Sequence, residues 1–223
     1  MKARIQRHDL LRIDPTHWQQ MLCLRPQLCA DARIASWAEN RWPVMVRRYL
    51  PTDKPHQIPV AISLPPTPLK SGLALQLAPD QIGTHVPAVS IRSGIVSAPD
   101  FWARTLHTLI EIGECFDTEP VLFGSLLWQT LTGAIYLNER SDLDLIWPVS
   151  RYSQALGLGR AIAACADSSP MRIDGEFVLP DGAAVNWREF LNAPEVMVKT
   201  LHRIECRAVH SLFVDTSARA TSA

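Results

Sequence analysis

The chain has 223 residues, with 22 Lys and Arg against 22 Asp and Glu, and 47% of its residues are hydrophobic. Balanced charge argues against broad nucleic-acid binding, which needs a basic surface. No window holds the roughly 18 uninterrupted apolar residues of a membrane span. The charged opening MKARIQRHDLLRIDP lacks the apolar stretch of a secretory leader, so a cytoplasmic protein is expected.

Residues 1–50 read as mixed structure, in which RWPVMVRRYL has a strand-like centre with Val44 and Val46 alternating against Met45 and Arg47. Pro51, Pro55, Pro59, Pro65, Pro66 and Pro68 then exclude a helix. QIPVAISL fits a short edge strand and SGLALQLAP another. The segment DQIGTHVPAVSIRSG carries no strong signal, and the domain boundary is placed in it. The expected division is a smaller α/β domain over residues 1–90, a second domain over 91–213 and a disordered tail over 214–223.

From Ser97 the pattern sharpens. SAPD suits a helix start, with Ser97 as cap, and Trp102, Leu106, Leu109, Ile110 and Cys115 form an apolar stripe. PVLFG reads as a buried strand and SLLWQTLTG as a short helix stopped by Gly133. SDLDLIWPV is a strand and SRYSQALGLGRAIAACAD a helix. MRIDGEFVLPDGAAVNW is a hairpin turning at Pro180-Asp181-Gly182. NAPEVMVKTLHRIECRAVHSLF reads as a last helix capped near Asn192, with Val198, Leu201, Ile204, Ala208 and Leu212 on one face. The expected fold class is α+β, a mixed sheet flanked by helices.

Five scattered cysteines (Cys23, Cys29, Cys115, Cys165 and Cys206) form no C-x-x-C pair, so neither a zinc site nor a disulfide framework is suggested and buried thiols are expected. The seven histidines do not cluster at metal-ligand spacing, and no nucleophile elbow or dinucleotide-binding glycine pattern is present.

The chemistry concentrates in the middle of the chain. In a strand, residues i and i+2 share a face, so Asp142 and Asp144 point one way while Leu143, Leu145 and Trp147 point to the core. Two carboxylates about 4 Å apart repel by roughly 4 kcal/mol at an effective dielectric of about 20. Arg140 alone, on a turn, is a poor match for both; a divalent cation relieves the conflict, and oxygen-only ligands favour magnesium. Gly124-Ser125 follows a strand and opens a helix. There the glycine permits close approach of a phosphate, and the serine hydroxyl and helix N–H groups donate to it. A third carboxylate is expected from the next strand, Asp174 or, in reserve, Glu176. The competing reading of both acidic pairs is a polar strand face in water.

Gly-Ser, then Asp-x-Asp, then a later acid resembles the nucleotidyltransferase superfamily of the polymerase-β type. The longer string FGSLLWQTLTGAIYLNERSDLDLIW, with RIDGE and AVNWREF downstream and RWPVMVRR, IPVAISLPP and LALQLAPDQI upstream, is similar to the phosphoribosyl-dephospho-CoA transferases. These are the holo-acyl-carrier-protein synthases of malonate decarboxylase. The resemblance implies a nucleotidyltransferase-like fold and a metal-dependent enzyme. Its donor would be 2′-(5″-triphosphoribosyl)-3′-dephospho-CoA, its acceptor a serine of the acyl-carrier subunit of malonate decarboxylase, and its leaving group pyrophosphate. On that resemblance Asp142 and Asp144 hold Mg2+, and Asp174 completes the metal site or takes the serine proton. Gly124 and Ser125 bind the departing phosphates, and Arg47 and Arg48 grip nucleotide or carrier. Glu189 and Lys199 are supports, while Trp128 and Trp187 belong to the core. The alternatives are a nucleotidyltransferase that uses ATP on another substrate, or a catalytically silent carrier-binding scaffold.

Overall fold

The computed structural model describes residues 5–66 and 71–213. They form an α+β protein with two sheets and seven α-helices among the described residues. The chain divides into two compact units, Met1–Ala88 with Leu131–Tyr136, and Val89–Thr130 with Leu137–Ala223. The expected disordered tail, 214–223, lies outside the described residues.

The first unit is built on β1 (Leu10–Ile13), α1 (Pro15–Cys23), α2 (Ala32–Ala35), β2 (Val44–Val46), β3 (Ile58–Leu64), β4 (Ser71–Leu77) and β5 (Ile82–Val86). Its strands pair antiparallel in the order β4-β3-β2-β1-β5. Asp14 starts α1 by accepting from the Thr16 and His17 amides, with Pro15 in the first turn where no N–H is needed. Trp18 and Trp37 are buried, and their indole N–H groups donate to the carbonyls of Ile34 and Pro43. Val44, Met45 and Val46 are all buried, so β2 is covered on both faces rather than alternating. β3 is internal, not the expected edge strand. Pro59 is tolerated because it lies beyond the last β2 pair, Val46 with Val60, where only its carbonyl is used, by the Arg47 amide. β5, in the stretch without strong signal, closes the sheet against β1. Tyr136 joins this unit by donating its hydroxyl to the Ser63 carbonyl.

The second unit contains α3 (Ile91–Gly94), α4 (Ala103–Cys115), β6 (Val121–Leu122), α5 (Gly124–Thr132), β7 (Leu143–Pro148), α6 (Tyr152–Ala166), β8 (Ile173–Val178), β9 (Ala184–Asn186), α7 (Trp187–Asn192), β10 (Glu195–Lys199) and β11 (Ile204–Ala208). The sheet order is β11-β10-β9-β8-β7-β6, with β7 and β8 parallel and every other pair antiparallel. The parallel pair requires a crossover, and α6 supplies it.

Three expectations are corrected here. The helix expected to start at Ser97 begins instead as α3, capped by Ser90. It breaks into short turns around Pro99 and resumes as α4 at Ala103. The expected last helix is a hairpin. In Glu195–Lys199, Val196 and Val198 are buried and alternate with exposed neighbours, a period of two that β-branched residues favour. Thr200 then makes the turn, its hydroxyl accepting from the His202 and Arg203 amides. Helical spacing of Val198, Leu201, Ile204 and Ala208 was coincidental, and Ile204 is exposed. Finally, four of the five cysteines, Cys115 among them, are exposed rather than buried. Cys23 and Cys115 close helices and Cys206 lies on the edge strand β11, positions that the core does not cover.

Candidate active site

Strand alternation and one register decide the centre of the second unit. Leu143, Leu145 and Trp147 are fully buried on one side of β7, which turns Asp144 to the other. In the parallel ladder Asp144 is directly beside Asp174 and Leu143 beside Ile173. Two carboxylates from different parts of the chain are thus neighbours on strands about 4.8 Å apart. Asp142 and Arg172, one residue before each strand, occupy the next position of the same face.

Asp174 is fixed at both oxygens. Its Oδ1 accepts from the Gly175 amide at 2.8 Å and from Asn186 Nδ2 at 2.9 Å, and its Oδ2 lies 3.0 Å from the Arg172 guanidinium. The same guanidinium lies 3.7 Å from Asp142 Oδ2. Asn186 has a second task. Its Oδ1 caps α7 by accepting from the Arg188 and Glu189 amides, so one amide side chain ties a carboxylate of the sheet to the start of a helix. Gly175 passes Leu145 at φ +145°, where a Cβ would lie 1.9 Å from the Leu145 carbonyl oxygen, so only glycine keeps the strands in register here.

The other wall is the start of α5. The Phe123 amide donates to the Asp144 carbonyl at 3.0 Å, which docks the β6–α5 turn on β7. Gly124 follows at φ +61°, and a Cβ on it would stand 2.1 Å from Asp144 Oδ2. The Asp144 carboxylate therefore lies against the first residue of the helix, at the positive end of its dipole. Ser125, the next residue, is buried.

Glu176, the reserve acid, stands opposite Ile146 in the ladder and is bonded by Lys199 Nζ at 2.9 Å. Asp174 is the acid that stands beside Asp144. Glu189 is exposed in the first turn of α7. Trp128 and Trp187 are buried core residues. In the first unit, Arg47 makes a two-pronged pair with Asp53 at 2.6 and 2.9 Å, and Asp53 also accepts from the Leu50 amide. This hydrogen-bonded guanidinium holds the Asp53 carboxyl well below the usual carboxylate range, against the opposing effect of burial. Arg48 donates to the Tyr49 carbonyl.

Residues 90–210 match the family described as phosphoribosyl-dephospho-CoA transferase MdcG C-terminal domain, and residues 6–88 match its N-terminal domain. The chain belongs to the phosphoribosyl-dephospho-CoA transferase family. A phosphoribosyl-dephospho-CoA transferase of Bradyrhizobium diazoefficiens is 36% identical over 199 residues, covering 89% of this chain and 88% of that protein. One from Xanthomonas campestris pv. campestris is 34% identical over 171 residues, covering 76% and 80%. No solved structure gives a significant match.

Alternation in two strands puts Asp142, Asp144 and Asp174 on polar strand faces, and the parallel register sets Asp144 beside Asp174. Two partners were missed. Arg172 precedes Asp174 by two residues in MRIDGE, so the same alternation puts it on the acidic face. Asn186, twelve residues after Asp174, had no local signal beyond its place before a helix. Among the described residues, no group of three or more His, Cys, Asp or Glu converges closely enough to cage a metal ion. The donor set is nevertheless all oxygen, and magnesium is usually held by one or two carboxylates with substrate phosphates completing the shell. Asp142 and Asp144, with the glycine cradle beside Asp144, fit that kind of site.

Proposed function

We infer that this chain attaches the phosphoribosyl-dephospho-CoA group of 2′-(5″-triphosphoribosyl)-3′-dephospho-CoA to a serine of the acyl-carrier subunit of malonate decarboxylase. The serine oxygen bonds to the α-phosphorus as the bond from that phosphorus to the bridging oxygen breaks. The serine proton is lost, pyrophosphate departs, and a phosphodiester remains on the carrier. The observation that carries the reading is the in-register pair of Asp144 and Asp174 beside the glycine that opens α5, in a chain of this family. In such a transfer, catalysis is positioning and charge stabilisation more than covalent chemistry.

Asp142 and Asp144 would hold Mg2+, which when bound neutralises the charge that develops on the transferring phosphates. The α5 N-terminus, with the positive end of its dipole and the Ser125 hydroxyl, would favour the terminal phosphates. Asp174, already oriented by Asn186 and Gly175, either completes the metal site or accepts the serine proton. Arg47 and Arg48 remain candidates for holding nucleotide or carrier. Arg47 would then act from a guanidinium that Asp53 already anchors.

The test is intact mass spectrometry of the purified carrier subunit after incubation with this protein, the triphosphoribosyl donor and magnesium. The expected result is a mass gain equal to the prosthetic group, absent with Asp144→Asn. Pyrophosphate release from ATP but not from the triphosphoribosyl donor would overturn the substrate assignment.

A further inference from the structure

The acidic face of β7 and β8 carries a cation of its own. Arg172 lies 3.0 Å from Asp174 Oδ2 and 3.7 Å from Asp142 Oδ2, against two of the carboxylates that would hold the dication. Its attachment is loose where it matters. The side chain is 60% exposed and divides itself between two carboxylates, at 3.0 and 3.7 Å. Its backbone is fixed, because the Leu143 amide donates to the Arg172 carbonyl at 2.8 Å. A change of side-chain rotamer is therefore enough to vacate the carboxylates, with no movement of the strand. Asp174 would keep its orientation afterwards, since Gly175 and Asn186 hold its other oxygen.

Charge decides what happens next. A guanidinium and a dication cannot share these oxygens, because like charges at that range repel. An arginine released from two carboxylates is available to another anion, and a triphosphate is the anion that arrives with the displacing cation. The planar guanidinium fork matches phosphate oxygens, and such pairs are among the stronger hydrogen bonds in proteins.

We propose that Arg172 is an exchangeable cation of this site. Before substrate arrives it holds Asp142 and Asp174 together. The incoming metal-bound triphosphate displaces it, and it then binds the phosphates that leave as pyrophosphate. This rests on the metal-triphosphate reading of the site and adds a residue to it.

The experiment compares the full-length chain with its Arg172→Gln variant, after thermal melts confirm that both are folded. Mn2+ alone is titrated first, followed by electron paramagnetic resonance, and then inorganic pyrophosphate in the presence of Mn2+. Removing the competing guanidinium should tighten Mn2+ binding about threefold to fivefold, the worth of an exposed ion pair. Losing a charge-assisted contact should weaken pyrophosphate binding about tenfold. Mn2+ affinity that is unchanged or lower in the variant refutes the exchange, as does equal pyrophosphate affinity. Mn2+ binding by the wild type that Asp144→Asn abolishes, with no difference at Arg172, would leave the metal reading standing and sink this inference alone. No Mn2+ binding by either protein sinks both.

Discussion

Each unit contains an arginine held by aspartate, and the two pairs are built differently. In the first unit Arg47 and Asp53 are 19% and 6% exposed and meet through two parallel hydrogen bonds, with the Leu50 amide and Gln76 side chain also on the carboxylate. In the second, Arg172 is 60% exposed and divides itself between two carboxylates at 3.0 and 3.7 Å. A part-buried, two-pronged pair is costly to break, because either partner left alone becomes an unpaired charge with little access to water. An exposed, divided pair costs little to exchange. The contrast separates an ion pair that builds a sheet from one that guards a site.

The largest effect expected from this contrast is chemical. Asp144→Asn should lower the rate of carrier modification by a hundredfold or more, on the order seen when one transition-state contact is lost. Its unfolding midpoint in urea should stay near that of the wild type, since the side chain lies on the face away from the core. A large fall in stability with little loss of rate would show that Asp144 belongs with Asp53, as a structural residue.

Asp53→Asn should do the opposite. It should cost about 3 kcal/mol of stability, measured by urea denaturation, because it leaves the half-buried Arg47 charge unmatched. The pH dependence has a definite sign. A carboxyl whose folded value is depressed contributes stability above its unfolded value and loses it as pH falls towards the folded one. The wild-type urea midpoint should therefore decline below about pH 4, and the variant should lack that part of the decline. Parallel curves for the two proteins would mean that the pair contributes nothing to acid sensitivity.

Gly124→Ala places a side chain at φ +61° and against Asp144 Oδ2. It should lower stability by about 1–2 kcal/mol and reduce Mn2+ affinity as the carboxylate is pushed aside. Calorimetry with the metal reads the second effect, and unchanged affinity would separate Gly124 from the site. Asn186 gives the smallest and most discriminating pair. Asn186→Ala removes the α7 cap and should cost about 1 kcal/mol. Asn186→Ser keeps a capping oxygen but is too short to reach Asp174. Near-normal stability with slowed transfer in the serine variant identifies Asn186 as a positioning residue, and normal transfer would reduce it to a cap.

Much of this was legible beforehand, for a local reason. Asp142, Asp144 and their buried neighbours Leu143, Leu145 and Trp147 announce a strand and its polar face, because alternation is a property of consecutive residues. Gly124 before a short apolar helix and the Pro180-Asp181-Gly182 turn are similarly local. The misreadings arose where two periods fitted the same letters. Val196 and Val198 suit a strand and Val198, Leu201 and Ile204 a helix, and pairing of β10 with β9 and β11 decides between them. β3 was misplaced at an edge because its proline sits just past the end of the β2 pairing, which no local rule shows.

From the order of its residues, then, this protein had the strands β2–β4 and β6–β9, its acidic face and its family membership, all of which depend on short-range periodicity and on motifs read in sequence. The tertiary structure supplied the parallel register that seats Asp174 beside Asp144, and it brought Arg172 and Asn186 to the same carboxylate. It also set Arg47 in a two-pronged pair with Asp53. Those outcomes required strands distant in the chain to pair, and the hydrogen bonds and desolvation that select a register exist only once the sheet has formed.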